Sequence, residues 1–529
     1  MFADIRGHSR ATLVCRSVSN SSRGSPARPA ATTTNGAEVD EDAATLPDQP
    51  GTKRVPARVT RFARQHALFG AVLLAGAAVR LIAMLGFPGT LRTTDSSRYM
   101  GNTVHLSPGV VRPSGYPIML RLLEPFHSLL AVVGIQHLMG LGMAVLGYAL
   151  LRRAGLPDWG ATLAMVPVLL SAYAVQLEHF LLSDTLCAFV VMIAVALMMW
   201  WPDRPLWACA LTGLLLAATA LIRSEGTPLL IVFLIFLVSR FAGWRTIASV
   251  AVMCAAFAIP VAGYAAWYDS VHGTFELTSS TGAFLYGGIA TFADCAKIKP
   301  PASERRLCVN APLSERKRPI DYIWRGALRT VPGGPFGKRA DKLGKDFALR
   351  AIRAQPLDYL RAAARSFWEG FLPPPSIHAG TEVARAWAFF QSEYVFPAAP
   401  PPLPLPHATH EFSTYDPAGP GLRIVQPYAG WIRAYQRYIF VPGPLLGAIV
   451  LAGLGGVIVS WRRFGGTALL PWLVGLCLLA VPAAIVASTP RYVVGAIPPF
   501  CVAGAIGVQQ IAGAAKRFRA RRSPAAVQQ

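Results

Sequence analysis

Ten apolar runs, parted by short clusters of charge, organise the chain after its first sixty residues. They cover roughly 67–86, 129–151, 160–177, 181–201, 206–222, 226–241, 247–267, 440–461, 467–487 and 493–512. Most approach the ~20 residues that a helix needs to cross ~30 Å of hydrocarbon. The pattern predicts an all-α polytopic membrane protein with about ten transmembrane helices. The sixth run is short, which fits a tilted or partly re-entrant helix.

The charges give the runs a direction. Arg54, Arg58, Arg61 and Arg64 precede the first run; Arg152 and Arg153 follow the second and Arg204 the fourth. Arg240 and Arg245 follow the sixth, Arg462 and Arg463 the eighth, and Lys516, Arg517, Arg519, Arg521 and Arg522 the tenth. If the helices alternate, all of these fall on one side. Translocation of Arg and Lys is disfavoured, so that side is the cytoplasm. The expected protein is multi-pass in the plasma membrane, with both termini cytoplasmic.

This divides the chain into a disordered cytoplasmic tail (1–60), an N-terminal transmembrane module (61–267) with an outward loop at 87–128, and an extracytoplasmic domain of mixed structure (268–439). C-terminal transmembrane helices (440–512) and a basic cytoplasmic tail (513–529) follow. The tail at 1–60 is rich in Ser, Thr, Ala, Pro and Gly, and no apolar stretch of signal-peptide type follows its first arginines. Within the outward domain, Leu357, Leu360, Ala364, Phe367 and Phe371 fall on one helical stripe with Arg361 and Arg365 off it. That helix either lies on the membrane or packs on the domain's own core. Pro400, Pro401, Pro402, Pro404 and Pro406 read as a polyproline-like linker.

Composition agrees with a bilayer-spanning chain. Hydrophobic residues make up 53% and charged residues only 15%, where soluble domains carry about 25% charge. The net charge of +23 follows from the cytoplasmic flanks, so no nucleic-acid partner is implied; membrane lipids are the expected surroundings. Eight cysteines show no metal-binding spacing. Cys295 and Cys308, the two in the outward domain, are expected to form a disulfide, because that compartment permits oxidation. No internal repeat is visible, which weighs against transporter folds built from duplicated halves.

The residues that could do chemistry sit at outward ends of the runs. The first loop contains Leu91-Arg-Thr-Thr-Asp95-Ser-Ser-Arg98-Tyr99 and then Arg112-Pro-Ser-Gly-Tyr116-Pro117. A carboxylate at Asp95 could serve as a general base on a hydroxyl; as a structural residue it would cap a short helix. Arg223 and Arg491 lie in very short outward turns, where basic residues are disfavoured. They suit a phosphate or pyrophosphate, which arginine grips in a fork, although Arg223 could equally pair with Glu225. Glu178, His179 and Asp184 cluster in another outward turn. They could bind a metal or an acceptor, or Ser183 and Asp184 could cap the next helix.

Four of these segments, in this order, resemble the GT-C membrane glycosyltransferases, specifically the polyprenyl-phosphate-dependent group that includes protein mannosyltransferases and the lipid A aminoarabinose transferase. They are Asp95…Tyr99 with Gly115-Tyr-Pro117, Leu181-Leu-Ser-Asp-Thr-Leu186, Ala220-Leu-Ile-Arg-Ser-Glu-Gly226, and Pro490-Arg-Tyr492. The resemblance implies an outward catalytic pocket over the first loop, with Asp95 as base. Many relatives carry two adjacent acids there, whereas Ser96 follows Asp95 here. No cofactor is then required, with room left for a divalent metal.

The reaction expected is inverting transfer of a sugar from a polyprenyl-phosphate donor to an acceptor of unknown class on the outer face. Asp95 would be catalytic, and Arg491 and Arg223 would bind the donor phosphate. Arg98, Tyr99, Arg112, Tyr116, Asp184, Glu225 and Tyr492 would contribute to the pocket. The alternatives are a transporter or flippase for a lipid-linked or anionic solute, and an inactive scaffold of the same shape. A transporter should carry ionisable groups near mid-membrane; the helix centres read as nearly free of charge.

Overall fold

A computed structural model describes residues 64–201, 203–239, 243–372, 389, 408–417, 422–463, 466–486 and 489–522. The tail at 1–60, the polyproline segment and Arg54, Arg58, Arg61 and Arg240 lie outside the described residues.

The chain is an all-α polytopic membrane protein. Its helices are α1 (Ala67–Gly86), α2 (Thr94–Val104), α3 (Gly115–Leu123), α4 (Leu129–Arg153), α5 (Asp158–Leu170), α6 (Ala172–His179), α7 (Asp184–Trp200), α8 (Leu206–Ile222), α9 (Leu229–Val238) and α10 (Trp244–His272). They continue with α11 (Thr281–Ile289), α12 (Pro319–Arg325), α13 (Lys338–Ala354), α14 (Pro356–Glu369), α15 (Ala408–Tyr415), α16 (Tyr428–Tyr438), α17 (Gly443–Val459), α18 (Leu469–Ile485) and α19 (Pro490–Arg522).

Over their described residues, all ten apolar runs are mostly helical. Among the described residues, five helices are long and apolar enough to span a bilayer alone, and two bent pairs, α5 with α6 and α16 with α17, raise that to seven if each pair is one span. The first pair bends by 49° at Ser171 and the second by 57° before Gly443. The remaining runs form shorter apolar helices, Asp184–Trp200, Leu206–Ile222 and Ser224–Val238. Pro167, Pro260, Pro482, Pro498 and Pro499 all sit inside helices, and each lacks the backbone N–H that a helix interior uses.

Two apolar cores fill the bundle. One joins α4, α5, α7, α17 and α19, with Leu169, Met192 and Phe500 fully buried. The other joins α7, α8, α9, α10 and α18 around Val195, Phe233 and Met253. A third core, with Phe87, Tyr99, Tyr116, Phe180 and Tyr415, caps one end of the bundle. The first loop runs there as α2 and α3. Gly115 lets α3 approach closely, since a Cβ would stand 2.6 Å from the Leu221 carbonyl oxygen. That contact binds the Gly-Tyr-Pro segment to the 220–226 turn.

The segment after α10 forms a small core of its own around Ala283, Tyr286, Phe347 and Ala348. Expected to be mixed, it contains helices and turns only among the described residues; the one isolated bridge, Leu91 with Phe180, lies elsewhere. A disulfide joins Cys295 and Cys308, with Cα atoms 6.0 Å apart. The apolar stripe read over 356–371 is split. Phe367 and Phe371 pack on the bundle core, while Leu357 and Leu360 on α14 stay exposed.

Candidate active site

The four sequence segments converge at the end of the bundle capped by α2 and α3. Asp95 does not cap its helix. Thr93 occupies the N-cap of α2, and Ser96 Oγ accepts from the Thr93 N–H at 2.9 Å while donating to the Leu181 carbonyl at 2.9 Å. Ser96 is fully buried in this arrangement. A second acid there would face a carbonyl oxygen without a donor, which accounts for the serine. Asp95, freed from capping, stands in the first turn of α2, where the helix dipole favours a carboxylate.

Three arginines and three carboxylates interlock around it. Asp95 Oδ2 accepts from Arg491 Nη1 at 3.1 Å and lies 3.7 Å from Arg112 Nη2. Arg112 Nη1 donates to Glu225 Oε1 at 2.8 Å. Arg223 Nη1 is 2.8 Å from Asp184 Oδ1, and its Nη2 is 3.6 Å from Glu225 Oε1. The Glu225 pairing expected for Arg223 is therefore the longer of two. Arg491 Nε lies 3.9 Å from Asp184 Oδ1. The Tyr492 ring sits 5.2 Å from both the Arg223 and Arg491 guanidiniums.

Burial alone would raise the Asp95 pKa, but Arg112 and Arg491 hold its carboxyl well below the usual range. Burial works the other way on Arg112, yet Glu225 and Asp95 keep it above its ordinary value. Asp184 Oδ2 and Glu225 Oε2 are buried with no hydrogen-bond partner. They are acceptors open to a ligand's hydroxyl or N–H. The adjoining cavity is about 40 Å³, bounded by Asp184, Arg223, Glu225, Arg491 and Tyr492 and by apolar Cys187 and Leu478. That is room for a few water molecules.

Each carboxylate is engaged by arginine, and among the described residues no group of three or more His, Cys, Asp and Glu could hold an ion.

The remaining predicted pocket residues behave differently. Arg98 lies over the rings of Trp324 and Phe336, 5.1 and 5.6 Å away, within the field of Asp95. Tyr99 and Tyr116 are buried and pack edge to face at 4.9 Å. The Tyr99 hydroxyl pairs with Ser183 Oγ at 2.8 Å and that of Tyr116 donates to Gln136 Oε1 at 2.8 Å. They support the site from below. Ser183 spends its hydroxyl on Tyr99, and Asp184 spends one oxygen on Arg223, so neither caps α7.

Glu178 and His179 belong to a separate buried network, which corrects their grouping with Asp184. Arg80 grips Glu178 in a fork, Nε to Oε2 at 2.8 Å and Nη2 to Oε1 at 2.7 Å. His137 bonds Glu178 at 2.8 Å and His179 at 3.2 Å, and His179 reaches the Phe87 carbonyl at 2.9 Å. Arg80 and Glu178 side chains are only 2% and 3% exposed. The spans are thus not as free of charge as the sequence reading held. A single arginine inside an apolar run, Arg80, was the available signal. Phe284, whose ring lies 5.1 Å from the Arg112 guanidinium, gave none.

No family model matches the sequence, and no curated protein matches it. Among solved structures, the fold is similar to the oligosaccharyltransferase of Archaeoglobus fulgidus in its apo form, at 13% identity and a TM-score of 0.38, covering 87% of this chain and 52% of that one. It is also similar to ArnT from Cupriavidus metallidurans bound to undecaprenyl phosphate, at 17% identity and a TM-score of 0.33, covering 86% and 79%. The chain spans about half the length of the oligosaccharyltransferase.

Proposed function

We propose that the chain is an inverting glycosyltransferase that moves a sugar from a polyprenyl-phosphate donor to an acceptor on the outer face of the plasma membrane. The observation that carries this reading is Asp95 held by Arg112 and Arg491 in the first turn of α2. The four-segment resemblance of the sequence to GT-C enzymes points the same way.

The chemistry needs few groups. The acceptor hydroxyl attacks the anomeric carbon, its proton passes to Asp95, and the bond from that carbon to the phosphate oxygen breaks, the electron pair leaving with the polyprenyl phosphate. Displacement from the opposite face inverts the centre. The phosphate is a good leaving group without protonation, so one carboxylate and a set of cations are sufficient. Arg491 and Arg223 would receive the phosphate. Asp184 Oδ2 and Glu225 Oε2, unpartnered in the site, would accept from sugar hydroxyls.

The pairing of Asp95 with Arg491 adds an order of events. A carboxylate clamped by two guanidiniums is a weak base. A donor phosphate that draws Arg491 to itself removes one clamp and strengthens the base when there is a sugar to transfer. The test is to present the purified full chain in nanodiscs with a panel of polyprenyl-phosphate sugars and measure release of polyprenyl phosphate. Release that needs Asp95 is expected. No release from any donor, with acceptor fractions from the cell envelope supplied, would reject the reading.

A transporter or flippase is the second reading, and the Arg80–Glu178–His137 network within the spans favours it. It predicts that proteoliposomes move a lipid-linked or anionic solute without consuming a donor sugar.

A further inference from the structure

A second, larger cleft lies along α11, lined by none of the residues of the carboxylate–arginine cluster. Phe284 of α11 faces Arg112, while Leu285, Gly288 and Ile289 of the same helix line the cleft. Its volume is about 730 Å³, within the range of ligand sites. Six basic side chains border it, Lys297, Arg316, Lys317, Arg318, Arg361 and Arg365, against the three acids Asp294, Asp358 and Glu369.

The basic wall is built, not incidental. Arg316 spends its guanidinium on the carbonyls of Ala311, Ala290, Ala293 and Val309, at 2.8 to 3.2 Å. This staples its loop to the end of α11. The Lys317 N–H is fixed by the Tyr322 hydroxyl at 3.1 Å. Lys317 and Arg318 are thereby held at the cleft with their side chains exposed. On the opposite wall, Arg361 and Arg365 stand one turn apart on α14. Their pairs with Asp358 and Glu369 are 3.3 and 3.5 Å long and solvent-exposed. Surface pairs of this kind contribute little, so an incoming phosphate can replace them.

The floor is apolar and continuous with the bundle. Ala483 and Ala484 of α18 and the adjoining Val486 form it, and the Tyr359 hydroxyl donates to the Ala484 carbonyl at 3.2 Å. The α18 segment is one of the candidate spans, so α14 rests at the rim of the apolar bundle. Leu357, Leu360 and Trp368 on α14 are 64%, 59% and 64% exposed. Arginines beside exposed leucine and tryptophan on one helix suit a bilayer interface.

We infer that this cleft binds a phosphate-bearing membrane amphiphile, with the phosphate among Lys317, Arg318, Arg361 and Arg365 and the hydrocarbon along α18 and α14. The site is separate from Asp95 and stands whether or not the chain transfers a sugar.

The test loads the full chain in neutral detergent with dioleoyl phosphatidic acid or dioleoyl phosphatidylcholine and reads bound lipid by native mass spectrometry. Wild type should retain the phosphatidic acid preferentially. Either of two double variants on different walls, Arg361→Glu/Arg365→Glu or Lys317→Glu/Arg318→Glu, should lower that retention by roughly tenfold or more, as expected for lost charge-assisted bonds. Arg491→Ala, which removes a cation of the other cluster, should leave it unchanged. Equal retention of the two lipids, or unaltered retention in both variants, would overturn the inference. So would loss of retention in Arg491→Ala, which would move the lipid to the other cluster. Displacement of the lipid by inorganic phosphate as readily as by short-chain phosphatidic acid would overturn the lipid assignment in favour of a free-phosphate site.

Discussion

Asp95 carries the sharpest expectation, because its roles as base and as helix cap predict opposite results. Thr93 and Ser96 do the capping, so Asp95→Asn should insert and express normally. Its transfer activity should fall by about 10²–10⁴-fold, the usual share of general-base catalysis. Near-normal transfer by Asp95→Asn would remove it from the mechanism. The arginines around it make a second prediction, on pH. A base works when ionised, so activity falls as pH drops through its pKa. Arg112 and Arg491 hold that pKa low, which pushes the acid limb of the rate profile to low pH. Arg112→Gln should shift the limb upward; an unmoved limb would mean that another group titrates. Arg491→Lys keeps the charge but loses the fork, and should still impair transfer. For donor affinity the relevant comparison is Arg491→Ala, whose apparent affinity for a lipid-phosphate sugar should weaken.

At the scale of elements, the site is assembled by contacts between helices that are distant in sequence. Arg80 on α1, His137 on α4 and Glu178 on α6 are tied in one buried network. The chain beyond it, through the Leu91–Phe180 bridge and Ser96 with Leu181, sets α2 against α7. Asp95 and Asp184 are placed by that seam. Removing one partner of a buried pair leaves an uncompensated charge, at a cost of about 3–5 kcal/mol. Arg80→Met should therefore lower thermal stability in detergent strongly, and Arg80→Met/Glu178→Gln should recover much of it. A double variant as unstable as the single one would show that the pair is not the source. The sequence announced α2, α7 and the turn at 220–226 through local signals. It did not announce this network: Arg80 stands out in its apolar run, but Glu178 lies 98 positions away and nothing local joins the two. Phe284 was hidden and Ser183 was read only as a helix cap for the same reason, since an aromatic or a serine acquires its role only from what folds against it. The disulfide was legible because two cysteines sat 13 apart in one loop. Closing so short a loop should stabilise by about 3 kcal/mol, and both thiols should resist alkylation in protein from intact cells unless it is first reduced.

For the whole molecule, the converging site is itself a statement about topology. Asp95, Arg112, Asp184, Arg223, Glu225 and Arg491 meet at one end of the bundle. The chain after Trp200 and after Val459, at the opposite ends of α7 and α17, carries Arg204, Arg462 and Arg463, and Arg152 and Arg153 close α4. Periodicity could read this alternation because apolar length and flanking charge are both local properties. It could not read how far each helix departs from a straight crossing. Asp184–Trp200 and Leu206–Ile222 are shorter apolar helices, and two apolar helix pairs bend. The alternation has a direct test. Cysteine introduced at Ser303 or Ser413, both exposed in the long segment after α10, should react with an impermeant reagent added outside intact cells. Cysteine at Ser460, beside Arg462 at the other end of α17, should react only after permeabilisation. Ser303 and Ser413 labelling from opposite sides would break the even alternation, and the arginine clusters would then no longer mark one face of the membrane.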